Sequence, residues 1–144
     1  MRKFIFILIL FFSCYIIYDL TTDSKYYYLS IGDYLSQGVN AYGIKETGYS
    51  LYIRDYLEKE DKLKYFNDSF VDYDYRITDL INIIKYNEFK SIGAKKYNLN
   101  QLLKKADIIT LSVGMNELYS KLRLNDDNIY NYMNELVDDM DELL

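Results

Sequence analysis

Two segments hold the residues with the means to do chemistry. Tyr27 to Gly38 (YYLSIGDYLSQG) places a carboxylate, Asp33, and two hydroxyls, Tyr34 and Ser36, directly after Gly32. Ala106 to Leu118 (ADIITLSVGMNEL) places an amide, Asn116, and a second carboxylate, Glu117, after Gly114. Each segment is an apolar strand running into a glycine turn. In open parallel α/β sheets, ligands bind in the crevice at the carboxyl ends of the strands, so the two strand ends can converge on one pocket. The chain contains no histidine, so a serine–histidine mechanism cannot run in it unaided. Its scattered aspartates lack the ligand spacing of a metal site, and no metal or other cofactor is expected.

The two turns also resemble a known family. Gly32-Asp33-Tyr34-Leu35 and Gly114-Met115-Asn116-Glu117 are similar to the first block (Gly-Asp-Ser-Leu) and third block (Gly-x-Asn-Asp) of the SGNH, or GDSL-type, hydrolases, a family of esterases and lipases. The resemblance implies a flavodoxin-like α/β fold, a three-layer parallel sheet with helices on both faces and the third strand between the first and fourth. It implies hydrolysis of acyl esters of lipids, sugars or cell-envelope polymers. On that reading Tyr34 occupies the nucleophile position, Asp33 fixes the turn, and Gly114 and Asn116 stand at the oxyanion-hole position, where an amide donates to the developing negative oxygen.

The departures from the family pattern are chemical. A phenol with an ordinary pKa near ~10 needs strong activation to attack an ester, so Tyr34 is expected to line or block the pocket. Ser36, two residues on at the start of a helix, is turned by roughly 200° away from it. The second block, over Asn67 to Asp79 (NDSFVDYDYRITD), has no glycine and puts Asp72 or Asp74 near the site; the Asp-x-x-His block is absent. The chain is therefore expected to be an inactive ester hydrolase. The alternative is a non-catalytic, membrane-tethered envelope module that binds a glycan or acyl ligand in the residual pocket. In the plainest reading Asn116 only caps the helix that follows.

A chain of 144 residues, half of them hydrophobic, has room for one domain. Its net charge of −5 and unclustered basic residues argue against a nucleic-acid partner. It has 18 tyrosines, and runs such as Tyr26-Tyr27-Tyr28 read as strand and amphipathic surface. Arg2 and Lys3 precede the apolar run Phe4 to Tyr18, so residues 1–20 read as a signal peptide or signal anchor. Residues 4–18 would then hold the membrane, with the rest extracytoplasmic. Cys14, in a loose lipoprotein-like context, offers lipidation as an alternative, and a cleaved secretory signal is the other.

The elements that must position the site follow from periodicity. Lys25 to Ile31 reads as the first strand, and Lys62 to Phe66 as a second. Tyr49 to Glu60 is helical through Leu51, Ile53, Tyr56 and Leu57, and Ile77 to Tyr86 through Ile77, Leu80, Ile81 and Ile84. Asn98 with Gln101 caps a short helix, Leu99 to Lys105. Ile108 to Val113 is near-continuously apolar, which predicts burial on both faces. From Asp126, a helix with a stripe of Ile129, Met133, Leu136, Met140 and Leu143 runs on without a stop signal. Residues 25–144 are accordingly expected to be the front part of an incomplete SGNH-like domain. If nothing followed Leu144, the strand Ile108 to Val113 would lie at a sheet edge.

Overall fold

The computed structural model describes residues 24–40, 42–123 and 128–144. Among them the chain forms a small α/β domain with a three-stranded parallel sheet, a two-stranded antiparallel sheet and five helices. The order is β1 (Tyr26–Gly32), α1 (Tyr49–Lys59), β2 (Leu63–Val71), α2 (Ile77–Lys85), β3 (Phe89–Ile92), β4 (Lys95–Asn98), α3 (Leu99–Leu103), β5 (Ile108–Ser112), α4 (Met115–Arg123) and α5 (Ile129–Leu143). The main sheet runs β2-β1-β5 with both pairings parallel. β3 and β4 form a hairpin.

The burial of β1 follows from its place between two neighbours. Leu29 and Ile31 point to one face, where they join Phe70 of β2, Leu80 of α2 and Leu99 of α3 in the core. Tyr28 and Ser30 point to the other face. There Tyr28 stacks on Phe66 at 5.1 Å between ring centroids, and the Arg54 guanidinium of α1 lies 5.7 Å above the Phe66 ring. The alternation of side chains along a strand thus divides the helices between the two faces.

β1 and β5 stay in register through Tyr28 opposite Ile108 to Gly32 opposite Ser112. At the last pair the chains close in. A Cβ on Gly32 would stand 2.4 Å from the Ser112 carbonyl oxygen and 2.4 Å from Ser36 Oγ, and the backbone there has φ of +154°. Only glycine lets the two strand tips approach this far.

Several expectations are corrected. β2 reaches Val71, five residues beyond the predicted strand end at Phe66, because bulges in its pairing with β1 carry the ladder through the polar Asn67-Asp68-Ser69. Tyr56 faces solvent, and Ser50 with Leu57 forms the buried side of α1. On α5, Met133 is exposed while Leu136, Met140 and Leu143 are half-buried. β5 lies at the sheet edge among the described residues, so it is half-buried with Ile109 exposed and is not enclosed on both faces. The membrane anchor is corrected as well: among the described residues no helix is long and apolar enough to cross a membrane. Residues 4–18, with Cys14, lie outside the described residues.

The close approach at Gly32 yields a stability prediction. Gly32→Ala should lower the unfolding free energy by about 2–4 kcal/mol, the sum of a steric clash and backbone strain, measured by urea denaturation. A loss below about 0.5 kcal/mol would contradict the described packing of the two strand tips.

Candidate functional site

The two strand tips are joined by one side chain. Asp33 is fully buried, and its Oδ1 accepts from the Leu35 N–H and from Ser112 Oγ, each at 3.0 Å, while its own N–H donates to the Ser112 carbonyl at 2.8 Å. One carboxylate therefore shapes its own turn and holds it to β5. The Met115 N–H lies near, but no hydrogen bond reaches Oδ2. Burial, partly offset by the bonds from Leu35 and Ser112, pushes the Asp33 carboxyl above the usual carboxylate range.

Beyond β5, Gly114 is buried, with the Leu136 and Ile77 side chains packed beside it. Asn116 and Glu117 open α4 and reach in different directions. Asn116 Nδ2 donates to the carbonyls of Tyr73 and Tyr75, both at 2.9 Å. A side-chain amide has two N–H donors, so both are committed to the loop between β2 and α2. Glu117 is buried, and its Oε1 accepts from the Ile77 N–H at 2.6 Å, a carboxylate set against the first turn of α2. Asn116 is inside α4 and bonds across to another loop, so it is not that helix's cap.

The same loop is held at its start. The Asp72 N–H donates to the Gly32 carbonyl, and the Asp72 carboxylate pairs with Lys90 of the β3–β4 hairpin at 2.9 Å. The Lys90 ammonium also lies 4.5 Å from the Tyr75 ring centroid. The hydrogen bond from Lys90 lowers the Asp72 carboxyl against the effect of burial; burial works against the charge on Lys90, but Asp72 and Tyr75 outweigh it and raise the amine. Asp72 is thus neutralised by a cation and does not project an unpaired charge.

Between these turns lies a hollow of about 560 Å³ lined by Tyr34, Val39, Asn40, Gly43, Tyr73, Asn116, Tyr119 and Ser120. Tyr34 is half-buried at its centre, with the Tyr73 ring 5.8 Å away and the Tyr119 ring 6.4 Å away between centroids. Burial, then the neighbouring Tyr119 phenol and the Asp33 carboxylate, push the Tyr34 phenol up, which keeps it protonated. Ser36 is buried beneath the turn, its hydroxyl 2.9 Å from Tyr49 OH, and does not reach the hollow. A second, more apolar hollow of about 480 Å³ lies at the opposite, amino ends of the strands, between Tyr27, Tyr65 and Leu102, away from both glycine turns.

The predicted residues Tyr34 and Asn116 thus share one hollow, while Asp33, which shapes the turn carrying Tyr34, and Gly114 are not among its lining residues. Tyr73 and Tyr119 were not anticipated. Tyr119 had a readable signal: three residues beyond Asn116 on a helix, it shares that residue's face. Among the described residues no cluster of three or more His, Cys, Asp or Glu is placed to hold a metal ion. No protein-family model, curated protein or solved structure matches the chain. The expected membership of the SGNH hydrolases is corrected to that extent: it has no match of the whole chain behind it and rests on the two short blocks.

The raised Asp33 carboxyl has a testable sign. A carboxyl bound to its proton more tightly in the folded state contributes stability that is fully present below its unfolded pKa and is lost as pH rises through the folded value. Asp33→Asn keeps an oxygen to accept from Leu35 and Ser112 and removes that ionisation. Relative to the parent, its urea midpoint should improve between about pH 4 and pH 7. A relative stability that falls over this interval would contradict the assignment. Asp72 acts in the opposite sense, its contribution being present above its unfolded pKa and lost as pH falls through the lowered one.

Proposed function

We propose that the chain is a ligand-binding module on an SGNH-like strand layout, whose hollow at the β1 and β5 tips holds a small ligand without cleaving an ester. The finer reading of the fold, a flavodoxin-like three-layer sheet, is supported by β1 lying between β2 and β5 with both pairings parallel. It is also supported by packing on both faces, α2 and α3 over Leu29 and Ile31 and α1 over the Tyr28–Phe66 side.

The observation that carries the binding reading is the commitment of Asn116. Ester hydrolysis requires donors aimed at the oxyanion, and a donor already closed on two backbone carbonyls is not preorganised for that charge. The other requirements point the same way. The hydroxyl at the nucleophile position belongs to a phenol held in its neutral form, and there is no histidine to take its proton. A walled, tyrosine-rich hollow remains, with its loops fixed by Asp33, Asn116 and Lys90.

The test is esterase activity with p-nitrophenyl acetate. The parent chain should give no turnover above that of Tyr34→Phe, and Tyr34→Ser should restore none, because a serine there still lacks a base and a free amide donor. Turnover by the parent that Tyr34→Phe abolishes, or turnover gained with Tyr34→Ser, would overturn the binding reading in favour of an ester hydrolase.

A further inference from the structure

The hollow leaves its rings available, while its Asn40 and Asn116 amides already hold protein partners. Tyr73 and Tyr119 are tilted by 45° and 50° to Tyr34, so neither is stacked flat on it. They are 49% and 46% exposed, which leaves aromatic surface open to an incoming group. The wall's amides are already engaged. Asn40 accepts the N–H groups of Tyr42 and Ile44 on Oδ1 and donates to Glu46, and Asn116 holds its two carbonyls. Ser120 Oγ donates to the Glu117 carbonyl.

Among the described residues no lysine or arginine lines the hollow. Asp33 lies one residue before Tyr34, and its carboxylate is the acidic charge that acts on the Tyr34 phenol. Such a potential disfavours a carboxylate and favours a cation. Lys90, bound to the same loop, is paired with Asp72.

We infer that this hollow, taken as the ligand site of the reading above, receives a compact alkylated ammonium group of the trimethylammonium type, held against the faces of Tyr34, Tyr73 and Tyr119. A ring face attracts a cation within about 6 Å of its centroid, and the attraction grows as water is excluded. A fully alkylated nitrogen carries no N–H donors, so it demands no acceptor from a wall whose amides are engaged. An acyl chain would gain little from phenol and amide groups.

The experiment titrates the full chain with choline while following tyrosine emission, which is free of tryptophan because the chain has none. Parallel titrations use 3,3-dimethylbutan-1-ol, the uncharged isostere of choline, together with glucose and acetate. Choline should saturate, with the isostere at least about tenfold weaker. Tyr73→Ala and Tyr119→Ala should each weaken choline about fivefold, while Tyr73→Phe and Tyr119→Phe, which keep the ring and lose the hydroxyl, stay within about twofold. A phosphocholine titration separates two sources that both support the inference: saturation equal to choline fits a lipid headgroup, and saturation by choline alone fits a free quaternary ammonium alcohol. Equal binding of the isostere, or no saturation by choline, overturns the cation. Saturation by glucose or acetate with choline silent overturns it while leaving ligand binding intact; ester turnover sensitive to Tyr34→Phe would instead remove the binding reading beneath it.

Discussion

The structure depends on the contact between the ends of β1 and β5, where a backbone with no side chain meets a buried carboxylate. Gly32 lets the strands close to a separation no Cβ would allow, and Asp33, one residue on, takes the Ser112 hydroxyl and the Leu35 N–H on one oxygen. Remove the glycine and the tips separate; remove the carboxylate and the turn loses the bonds that hold Tyr34 over the hollow. An ionisable group enclosed with one oxygen unpartnered is costly, and its retention here coincides with its being the link between two strands far apart in sequence.

From that contact the rest of the site is assembled by side chains acting on backbone. Asn116 ties down the loop that carries Tyr73, Glu117 sets a carboxylate at the start of α2, and Asp72 connects the loop to both Gly32 and the hairpin. Asp33 and Asn116 thus act as ties between loops, and the open faces beside them belong to three tyrosines, Tyr34 among them. The bonds that hold the loop are made by the Asn116 donors that an ester hydrolase would aim at an oxyanion.

Much of this was legible in the residues. The three parallel strands, the glycine turns at Gly32 and Gly114 and the Asn98 cap, whose Oδ1 accepts from the Gln101 N–H, follow from local pattern, whereas Ser36, expected at a helix start, lies in a turn and is buried by the distant Tyr49. The β3–β4 hairpin was not foreseen, because Lys90, Lys95 and Lys96 interrupt any apolar alternation in strands that are mostly exposed. The available signal was the two-residue Gly93-Ala94 connection, with Gly93 at φ of +58°, which suits a tight hairpin turn. Nor could sequence give the partners of Asn116 and Glu117, since both lie about forty residues away along the chain and are set by tertiary packing. The extra length of β2 escaped for a related reason: its polar residues are paired through bulges, which alternation does not encode.

The most direct measurement of the central claim is the solvent exchange of the two Asn116 side-chain protons in nitrogen-15-labelled protein. With both closed on the Tyr73 and Tyr75 carbonyls, they should be well resolved from each other and should exchange markedly more slowly than those of an exposed asparagine such as Asn131. Exchange of either proton at the exposed rate would mean that the amide is free to meet an oxyanion, and the account of a hollow that binds without hydrolysing would fail.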